Sequence, residues 1–418
     1  MSKAKLPTCR ICGHAETVLT RHLQAEHGLA VGGYLEKHPG AAVADQDVLK
    51  LVQSEAASDR EHPLDPADLT VNFAGVECAV NWDVPASACL REPDCYRIPT
   101  VGTLAKDVAA SALFLKRRRS TYIWGPQGTG KDGFVHAWSA KTRTPSEKFQ
   151  VAPGKDIQPW LWVREVSPDR GTYYREGRLL QLARDGFTTR TGRKIPAFIL
   201  ITDIDRATKS QAETFRLLLD TIEGRVPRWD GGSWPVFPGT LFVATANTAG
   251  QGDETGRYVS SNILDATILA RFQRFRRFSL MDWKDEEPIL RAKYPSFAEK
   301  MDQVLRGTRE RGTGKMVTGL GIATRTLREA ITARDLHADF SHRELSNWVE
   351  AAQDILDEHP RRKPPEGLMR EAGRAVFDKF PDAETRLRAK RLIHGFIEGG
   401  MLNPGETDGV EEGELGAF

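Results

Sequence analysis

The stretch GPQGTGKD at residues 125–132 decides the fold of this chain. It follows the apolar run TYIW (121–124) and precedes GFVHAWSAKT, which has a helical pattern. A strand, a glycine-rich loop and a helix in this order hold phosphate oxygens with backbone N–H groups and the start of the helix, so the stretch predicts a nucleotide site. The residues expected to bind the nucleotide here are Gly125, Pro126, Gln127, Gly128, Thr129, Gly130, Lys131 and Asp132.

Four apolar runs predict buried parallel strands around this loop. They are TYIW (121–124), WLWV (160–163), AFILIT (197–202) and LFVATA (241–246). Across residues 100–345 these runs alternate with helical patterns, which is typical of an α/β domain with a parallel sheet. After about residue 283 the strand patterns stop and helical patterns dominate.

Polar residues follow two of the predicted strands. AFILITDIDRA ends in acidic residues, and LFVATANT ends in Asn247, an amide suited to holding an attacking water. Later in the chain, SNILDATILARFQRF contains Arg271 and GIATRTLREA contains Arg325. A phosphate loop, an acidic strand end, a polar strand end and two late arginines form the constellation of an AAA+ ATPase. The predicted fold is therefore an α/β AAA+ P-loop domain, a parallel sheet flanked by helices, with a helical lid and a small N-terminal zinc finger.

Residues 70–345 resemble the MoxR-like AAA+ ATPases, and most closely the small ATPase subunit of aerobic cobaltochelatase (CobS type). The resemblance rests on GPQGTGK, DIDRATKSQAETFRLLLDTIEGR, LFVATANTAGQGDETGRYVSSNILDATILARF and ATRTLREA, of which VATANTAGQGDETGRY is the most specific. It implies a homo-oligomeric ring, a hexamer, with ATP between subunits. Arg271 would then act on a neighbour's γ-phosphate, and Arg325 would be the sensor on the lid. The resemblance also implies a partner with a von Willebrand A-type domain.

Two residues depart from this family pattern. The family strand ends in Asp-Glu, whereas this chain has Thr202 where the magnesium-side Asp is expected and Asp203 where the catalytic Glu is expected. Asp132 in turn replaces the Ser or Thr of the loop, so a hydroxyl and a carboxylate have changed places. We interpret this as an exchange in which Asp132 ligates Mg²⁺ directly, Thr202 supports it and Asp203 orients water.

This interpretation predicts a magnesium-dependent site with slow hydrolysis. Like charges at about 4 Å repel by ~4 kcal/mol at an effective dielectric of 20, so Asp132 near the phosphates makes ATP binding depend steeply on Mg²⁺. Asp203 is one methylene shorter than Glu and lies farther from the γ-phosphate. Two alternatives stay open: a site that binds nucleotide without hydrolysis, and an alignment in which Asp203 is the magnesium acid and Asp205 the base.

The N-terminus predicts a zinc site. Cys9 and Cys12 are followed, after nine intervening residues, by His22 and then by His27, which makes a Cys₂His₂ ligand set. The segment TVLTRHLQAEHG predicts a helix with both histidines near one face, ended by Gly28. The residues CRICG, LTRHLQAEHGL and YLEKHPG resemble the Ros/MucR-type zinc finger, a family that binds DNA. Because basic residues around it are few, docking to a protein and docking to nucleic acid are both open.

Composition and sequence patterns limit the class of the protein and divide the chain into predicted parts. The 418 residues carry a net charge of +2, which argues against a strongly basic nucleic-acid coat. No apolar run approaches the ~18 residues of a membrane span, and no signal peptide is apparent, so we expect a cytoplasmic protein. The other three cysteines are expected to be unpaired thiols. The predicted parts are a zinc finger (1–40), a linker (41–68), the AAA+ core (69–282), a lid (283–345), a helical extension (346–405) and an acidic disordered tail (406–418).

These features predict an ATPase that remodels a client complex and reaches that client through the zinc finger. One alternative is the motor subunit of a cobaltochelatase-type complex, although the zinc finger and residues 345–418 depart from that subunit. A second alternative is a non-hydrolysing, nucleotide-dependent scaffold or nucleic-acid-binding protein. Tyr173 and Tyr174, beside Arg175, either grip a partner or lie on the surface of a β-hairpin.

Overall fold

The computed structural model describes residues 7–15, 19–29, 31–39, 41–43, 70–167, 171–220, 224–252, 261–298, 308–309, 316–317, 319–336, 338–358 and 368–397. The chain divides into two compact units. The first comprises Met1–Ile98, Ala105–Gly125 and Gly130–Phe278, and the second comprises Pro99–Leu104, Pro126–Thr129 and Ser279–Phe418. Most of the predicted linker, from residue 44 onward, and the whole predicted acidic tail lie outside the described residues.

A five-stranded parallel sheet forms the centre of the first unit. Its strands in spatial order are β13 (Arg274–Arg277), β3 (Thr121–Trp124), β12 (Leu241–Ala246), β9 (Phe198–Thr202) and β4 (Ser146–Gln150). All four neighbouring pairs are parallel. Counted along the chain, this is the order fifth, first, fourth, third, second. It confirms the predicted fold class, an α/β phosphate-loop domain of the AAA+ type.

Three of the four predicted strands are confirmed, and the fourth is wrong. TYIW, AFILIT and LFVATA form β3, β9 and β12, and every residue of β9 and β12 is buried. Strands covered on both faces have continuous apolar sequences, which is why these three could be recognised. WLWV instead spans the end of a short helix (Gln158–Leu161) and the start of an antiparallel strand (Trp162–Ser167). The second neighbour of β9, beside β12, is the edge strand SEKFQ, in which only Ser146 and Phe149 are buried.

Helices and small hairpins surround this sheet. The helices are α1 (Thr20–His27), α2 (Val31–Lys37), α3 (Gly102–Lys116), α4 (Lys131–Thr142), α5 (Gln158–Leu161), α6 (Arg178–Asp185), α7 (Lys209–Leu218) and α8 (Ala266–Leu269). The antiparallel hairpins are β1 (Thr70–Phe73) with β2 (Val76–Ala79), β5 (Trp162–Ser167) with β6 (Gly171–Glu176), β7 (Phe187–Thr188) with β8 (Lys194–Ile195), and β10 (Arg225–Pro227) with β11 (Ser233–Pro235). Tyr173 and Tyr174 therefore lie on a β-hairpin, as one of the two interpretations expected.

The N-terminal module has its own small core. Helix α1 ends at Gly28, whose φ of 61° is the left-handed conformation predicted for a terminating glycine. Cys9, Leu23 and Tyr34 are almost completely buried, and they pack in one cluster with Trp82 from the segment after β2. Trp82 is 6% exposed. The module is therefore packed against the segment that follows β2 within the first unit.

The second unit is mainly helical. Its helices are α9 (Trp283–Lys293), α10 (Gly319–Thr332), α11 (His342–Glu358), α12 (Leu368–Ala372), α13 (Arg374–Phe377) and α14 (Ala383–Ile397), and it has one short hairpin, β14 (Thr308–Arg309) with β15 (Met316–Val317). Trp348 is fully buried at its centre, with Phe340 and Phe377 in edge-to-face contact. Helices dominate after residue 283, as predicted, but strands do not stop there, because β14 and β15 form a hairpin. Within the described part of the chain, no helix is long and apolar enough to span a membrane.

Candidate nucleotide and zinc sites

The glycine loop has the backbone that its sequence requires. Gly125, Gly128 and Gly130 have φ values of 149°, 76° and 81°, a region that L side chains rarely adopt. A Cβ on Gly125 would lie 2.1 Å from the carbonyl oxygen of Phe278, so no side chain fits there. Gly130 precedes α4, which begins at Lys131. The predicted strand, loop and helix are therefore all present in the expected order.

Lys131 and Asn247, predicted from separate motifs, lie together. The ammonium of Lys131 donates to the carbonyl oxygen of Gly125 at 2.7 Å and to Oδ1 of Asn247 at 3.4 Å. Sheet register explains the meeting: Ala246, at the end of β12, pairs with Trp124 at the end of β3, so the residues after both strands are neighbours. Lys131 is 8% exposed. A bound phosphate would replace these two contacts of its ammonium.

Asp132 has two partners, and neither is Thr202. Its Oδ1 accepts a hydrogen bond from the hydroxyl of Thr245 at 2.7 Å, and its Oδ2 forms an ion pair with the ammonium of Lys148 at 2.9 Å. Thr202 pairs in register with Thr245 on the neighbouring strand, so its side chain faces the same side of the sheet. Its hydroxyl is buried and has no hydrogen-bond partner among the described residues.

This arrangement does not fit the predicted magnesium site as it stands. Both carboxylate oxygens of Asp132 already have partners, and one of those partners is a cation. The exchanged pair therefore offers Mg²⁺ only a neutralised carboxylate and the buried hydroxyl of Thr202. Ligation of Mg²⁺ by Asp132 and Thr202 stays a prediction.

The two acidic residues after β9 have different environments. Asp203 is partly exposed, has a φ of 56°, and its Oδ2 accepts a hydrogen bond from the side-chain amide of Gln150 at 3.0 Å. Asp205 is fully buried, and its Oδ2 accepts hydrogen bonds from Asn247, Thr248 and Ser261. A carboxylate enclosed in this way cannot reach a water at the nucleotide. The alternative alignment with Asp205 as base therefore does not fit, and Asp203 is the acid available to the site.

The two predicted arginines lie in different units. Arg271 follows α8 and forms an ion pair with Asp220 at 3.2 Å, while its guanidinium also donates to the carbonyl oxygen of Thr267 at 2.9 Å. Arg325 is on α10 of the second unit and lines a cavity of about 540 Å³ that is also lined by Trp283 and Arg328. Their roles as finger and sensor stay predictions.

The four predicted zinc ligands converge. Cys12 Sγ lies 3.1 Å from His22 Nε2 and 3.4 Å from His27 Nε2, and Cys9 Sγ lies 3.5 Å from His27 Nε2. All four ligand atoms lie within 4.8 Å of one another. Ligands at the usual bond lengths around a tetrahedral Zn²⁺ are about 3.3–3.8 Å apart, so the set fits this metal.

The charge of this cluster also suits a metal. Burial raises the pKa of the Cys9 thiol, but backbone hydrogen bonds at Cys12 and Ile11 together outweigh it and hold that pKa below its ordinary value. The thiolate is the form that binds Zn²⁺. The lowered pKa of Cys9 therefore favours the thiolate that Zn²⁺ binds.

We expect the purified chain to contain a single zinc ion and the Cys12→Ser variant to lose most of it. A structural zinc site needs all four ligands, since three leave one position open to water and to chelators. Elemental analysis after gel filtration checks the metal content. Cys95→Ser is the matched control, because Cys95 is also an exposed free cysteine but lies outside the cluster. Equal zinc content in the two variants would contradict the assignment.

Sequence reasoning missed three side chains at the nucleotide site: Thr245, Lys148 and Gln150. Thr245 lies in a predicted strand, two residues before Asn247. This spacing predicts that the two side chains lie on the same face of the sheet. Lys148 and Gln150 lie on β4, an edge strand whose sequence gives no apolar run. Nothing in the local pattern indicates that this strand is next to β9.

Comparison with known proteins gives only distant similarity. No protein-family model and no curated protein matches the chain. Among solved structures it is similar to NtrX from Brucella abortus, with 14% sequence identity, a TM-score of 0.43, and coverage of 76% of this chain and 67% of that one. NtrX in complex with ADP gives the same identity and TM-score over 68% of its chain. A RuvB variant from Thermotoga maritima has 11% identity and a TM-score of 0.41, over 76% of this chain and 83% of that one. The strand order described above, and not these likenesses, identifies the fold.

Proposed function

We propose that the chain is a MoxR-like AAA+ ATPase that binds ATP, hydrolyses it slowly and uses the energy to remodel a client complex. The observation that supports this best is the contact between Lys131 and Asn247 at the carboxyl edge of the parallel sheet. Ligands of open parallel sheets bind at this edge, where the loops after the strands meet. A phosphate-binding lysine and a water-holding amide within 3.4 Å of each other suit transfer of a γ-phosphoryl group to water.

Each residue in this proposal has one task. Lys131 binds the β- and γ-phosphates after leaving the carbonyl oxygen of Gly125. Asn247 orients the attacking water through its side-chain amide. Asp203 accepts the water's proton, and its hydrogen bond to Gln150 at 3.0 Å fixes the carboxylate at the end of β9. Asp203 is shorter than the expected Glu, so the water is held less closely and hydrolysis is slow.

The proposal extends to assembly and targeting. A homo-oligomeric ring, a hexamer by resemblance, would bring Arg271 of one subunit to the γ-phosphate held by its neighbour, after exchange of its ion pair with Asp220. Arg325 lines a cavity large enough for a small ligand, and its proposed role is that of the nucleotide sensor. The zinc finger would direct the ring to a client, with a von Willebrand A-domain protein as a candidate partner.

A second candidate function is favoured by the Asp132–Lys148 ion pair. Because Asp132, at the loop position that ligates magnesium in phosphate-loop enzymes, is already paired with a cation, the site also suits a protein that binds nucleotide and changes its assembly without hydrolysis. In that case ATP and ADP would be structural ligands. The two functions differ in turnover and agree on nucleotide binding.

We expect Lys131→Met to weaken ATP binding by roughly 10- to 100-fold and to abolish any ATPase activity. Hydrogen bonds to charged groups contribute about 1.5–3 kcal/mol, and Lys131 provides such bonds to two phosphates. Isothermal titration calorimetry and a phosphate-release assay on the full chain measure the two quantities. Lys141→Met on the same helix is the matched control, since Lys141 pairs with Glu92 on the surface. Unchanged binding in Lys131→Met would contradict the proposal, and binding without turnover in the wild type would favour the scaffold.

A further inference from the structure

We propose that the ammonium of Lys148 is a built-in counter-ion of the nucleotide site. It pairs with Asp132, at the loop position whose Ser or Thr ligates magnesium in a phosphate-loop protein, and it allows this protein to bind nucleotide without a divalent cation. The inference rests on the proposed function in one respect, namely that residues 125–132 bind a nucleotide. It contradicts the steep magnesium dependence expected when Asp132 is considered without its partner.

The position of Lys148 follows from the sheet. Lys148 pairs in register with Leu200 on β9, two residues before the level of Gln150 and Thr202 at the carboxyl edge. Because side chains alternate along a strand, Lys148 faces away from the buried Phe149, toward the side of the sheet on which α4 begins. Its Nζ reaches Asp132 Oδ2 at 2.9 Å. Asp132 directly follows the phosphate-binding Lys131, so Lys148 acts next to the expected phosphates.

The pair is accessible to a ligand. The side chains of Lys148 and Asp132 are 35% and 40% exposed, whereas the Thr245 hydroxyl that completes the contacts of Asp132 is buried. One side of the carboxylate is therefore fixed to the sheet, and the other side carries a cation that faces solvent. An incoming phosphate meets that ammonium together with the Lys131 ammonium, and does not meet an uncompensated carboxylate.

The same charges disfavour a divalent ion. A usual magnesium site in this class has a hydroxyl from the loop and a carboxylate from the strand, and the carboxylate is free to attract the metal. Here the strand contributes the hydroxyl of Thr202, and the only carboxylate of the exchange is neutralised by Lys148. A metal at Asp132 would have to displace an ammonium that the protein holds in place. Magnesium therefore adds little to nucleotide affinity.

The test compares ADP affinity of the full chain in EDTA and in magnesium by calorimetry. For the wild type we expect dissociation constants that differ by less than about threefold, ~0.7 kcal/mol. Lys148→Met should bind ADP at least about tenfold more weakly than the wild type in EDTA, because Asp132 then repels the phosphates. Magnesium should recover most of that loss, since the free carboxylate can hold the metal.

Two further variants complete the design. Lys141→Met, which removes a similarly exposed ammonium at the other end of α4, should leave ADP affinity unchanged in both buffers. The double variant Lys148→Met, Asp132→Ser removes both charges and should regain wild-type affinity in EDTA to within about threefold. Circular dichroism verifies that each variant is folded.

The outcomes separate this inference from the proposed function. Wild-type ADP binding that weakens more than about tenfold in EDTA would overturn the counter-ion, and nucleotide binding would still stand. Equal affinity of Lys148→Met and wild type in EDTA would also overturn it. Absence of ADP binding in both buffers would overturn the proposed function itself, and this inference with it.

Discussion

Asp205→Ala should lower the free energy of unfolding of the first unit by about 2–6 kcal/mol. The Asp205 carboxylate is fully buried and accepts hydrogen bonds from the backbone N–H groups of Asn247 and Thr248 at 3.1 and 3.0 Å. It also accepts from the hydroxyls of Thr248 and Ser261, both at 3.0 Å. Hydroxyls can rotate to other acceptors, but the two backbone donors cannot. Each buried donor without a partner costs about 1–3 kcal/mol, which gives the expected range.

The same substitution should disturb the nucleotide site. Asp205 is the only one of the two acids after β9 that fixes the backbone of Asn247, so its loss frees the residue that is expected to hold the attacking water. Nucleotide binding through Lys131 should persist below the unfolding transition, while turnover falls. This split distinguishes an anchoring role of Asp205 from a direct catalytic one.

Hydrogen–deuterium exchange of the β12 amides in the full chain measures this local stability. Asp203→Ala is the matched control. Asp203 lies two residues away and is partly exposed, and the hydrogen bond that its side chain makes within the described structure is with Gln150 at 3.0 Å. We expect that control to change the free energy of opening by less than about 1 kcal/mol. Equal protection of β12 in the two variants would show that Asp205 does not anchor the strand end.

The sequence predicted the central strands because they are covered on both faces. β3, β9 and β12 are continuous apolar runs, and the helix after the loop follows from the glycines and the lysine. The sequence does not predict the edge strands β4 and β13, because two residues of β4 and none of β13 are buried and their sequences, SEKFQ and RFRR, contain one phenylalanine each. WLWV is apolar without being a core strand. Its tryptophans pack against the core from a short helix and from a hairpin.

The zinc site could be predicted from the sequence, whereas the contacts of Asp132 at the nucleotide site could not. The zinc ligands could be predicted because Cys9 and His27 are only eighteen residues apart and a single short helix sets the distances. The partner of Asp132 could not, because the contact with Lys148 depends on which strand lies beside β9. Likewise, the sequence predicted that Asp132 is on the helix after the loop, α4, and that Thr202 is at the end of strand β9. It did not indicate that Thr245, one strand further along the sheet, would bind the carboxylate.

Glu286→Gln should lower the free energy of unfolding of the second unit by about 3–5 kcal/mol, because it removes one partner of a buried ion pair. Glu286 is fully buried on α9. Its two oxygens accept from the guanidinium of Arg328 at 2.7 and 2.9 Å, and Oε1 also lies 3.1 Å from Nδ1 of His342. The Arg328 side chain is only 11% exposed, so the neutral amide would leave a buried cation without its counter-charge.

The pH dependence of stability tests the charge of Glu286 specifically. Burial raises the pKa of Glu286, but the hydrogen bonds and charges of His342 and Arg328 outweigh it and hold that pKa below its ordinary value of 4.5. A carboxyl with a lowered folded-state pKa contributes stability that is complete above about pH 4.5 and is lost as the pH falls through the folded pKa. Urea titrations of wild type and Glu286→Gln between about pH 3.5 and pH 7 should therefore show a gap that is constant at neutral pH and shrinks in acid.

The neighbouring Glu287→Gln separates this effect from the loss of any glutamate on α9. Glu287 pairs with Arg291 on the surface, where the two side chains are 25% and 33% exposed, and such pairs contribute about 0–1 kcal/mol. We expect this control to stay within about 1 kcal/mol of the wild type at every pH. If the gap for Glu286→Gln stayed constant in acid, the lost stability would come from packing alone. The second unit would then depend on the shape of Glu286 and not on its charge.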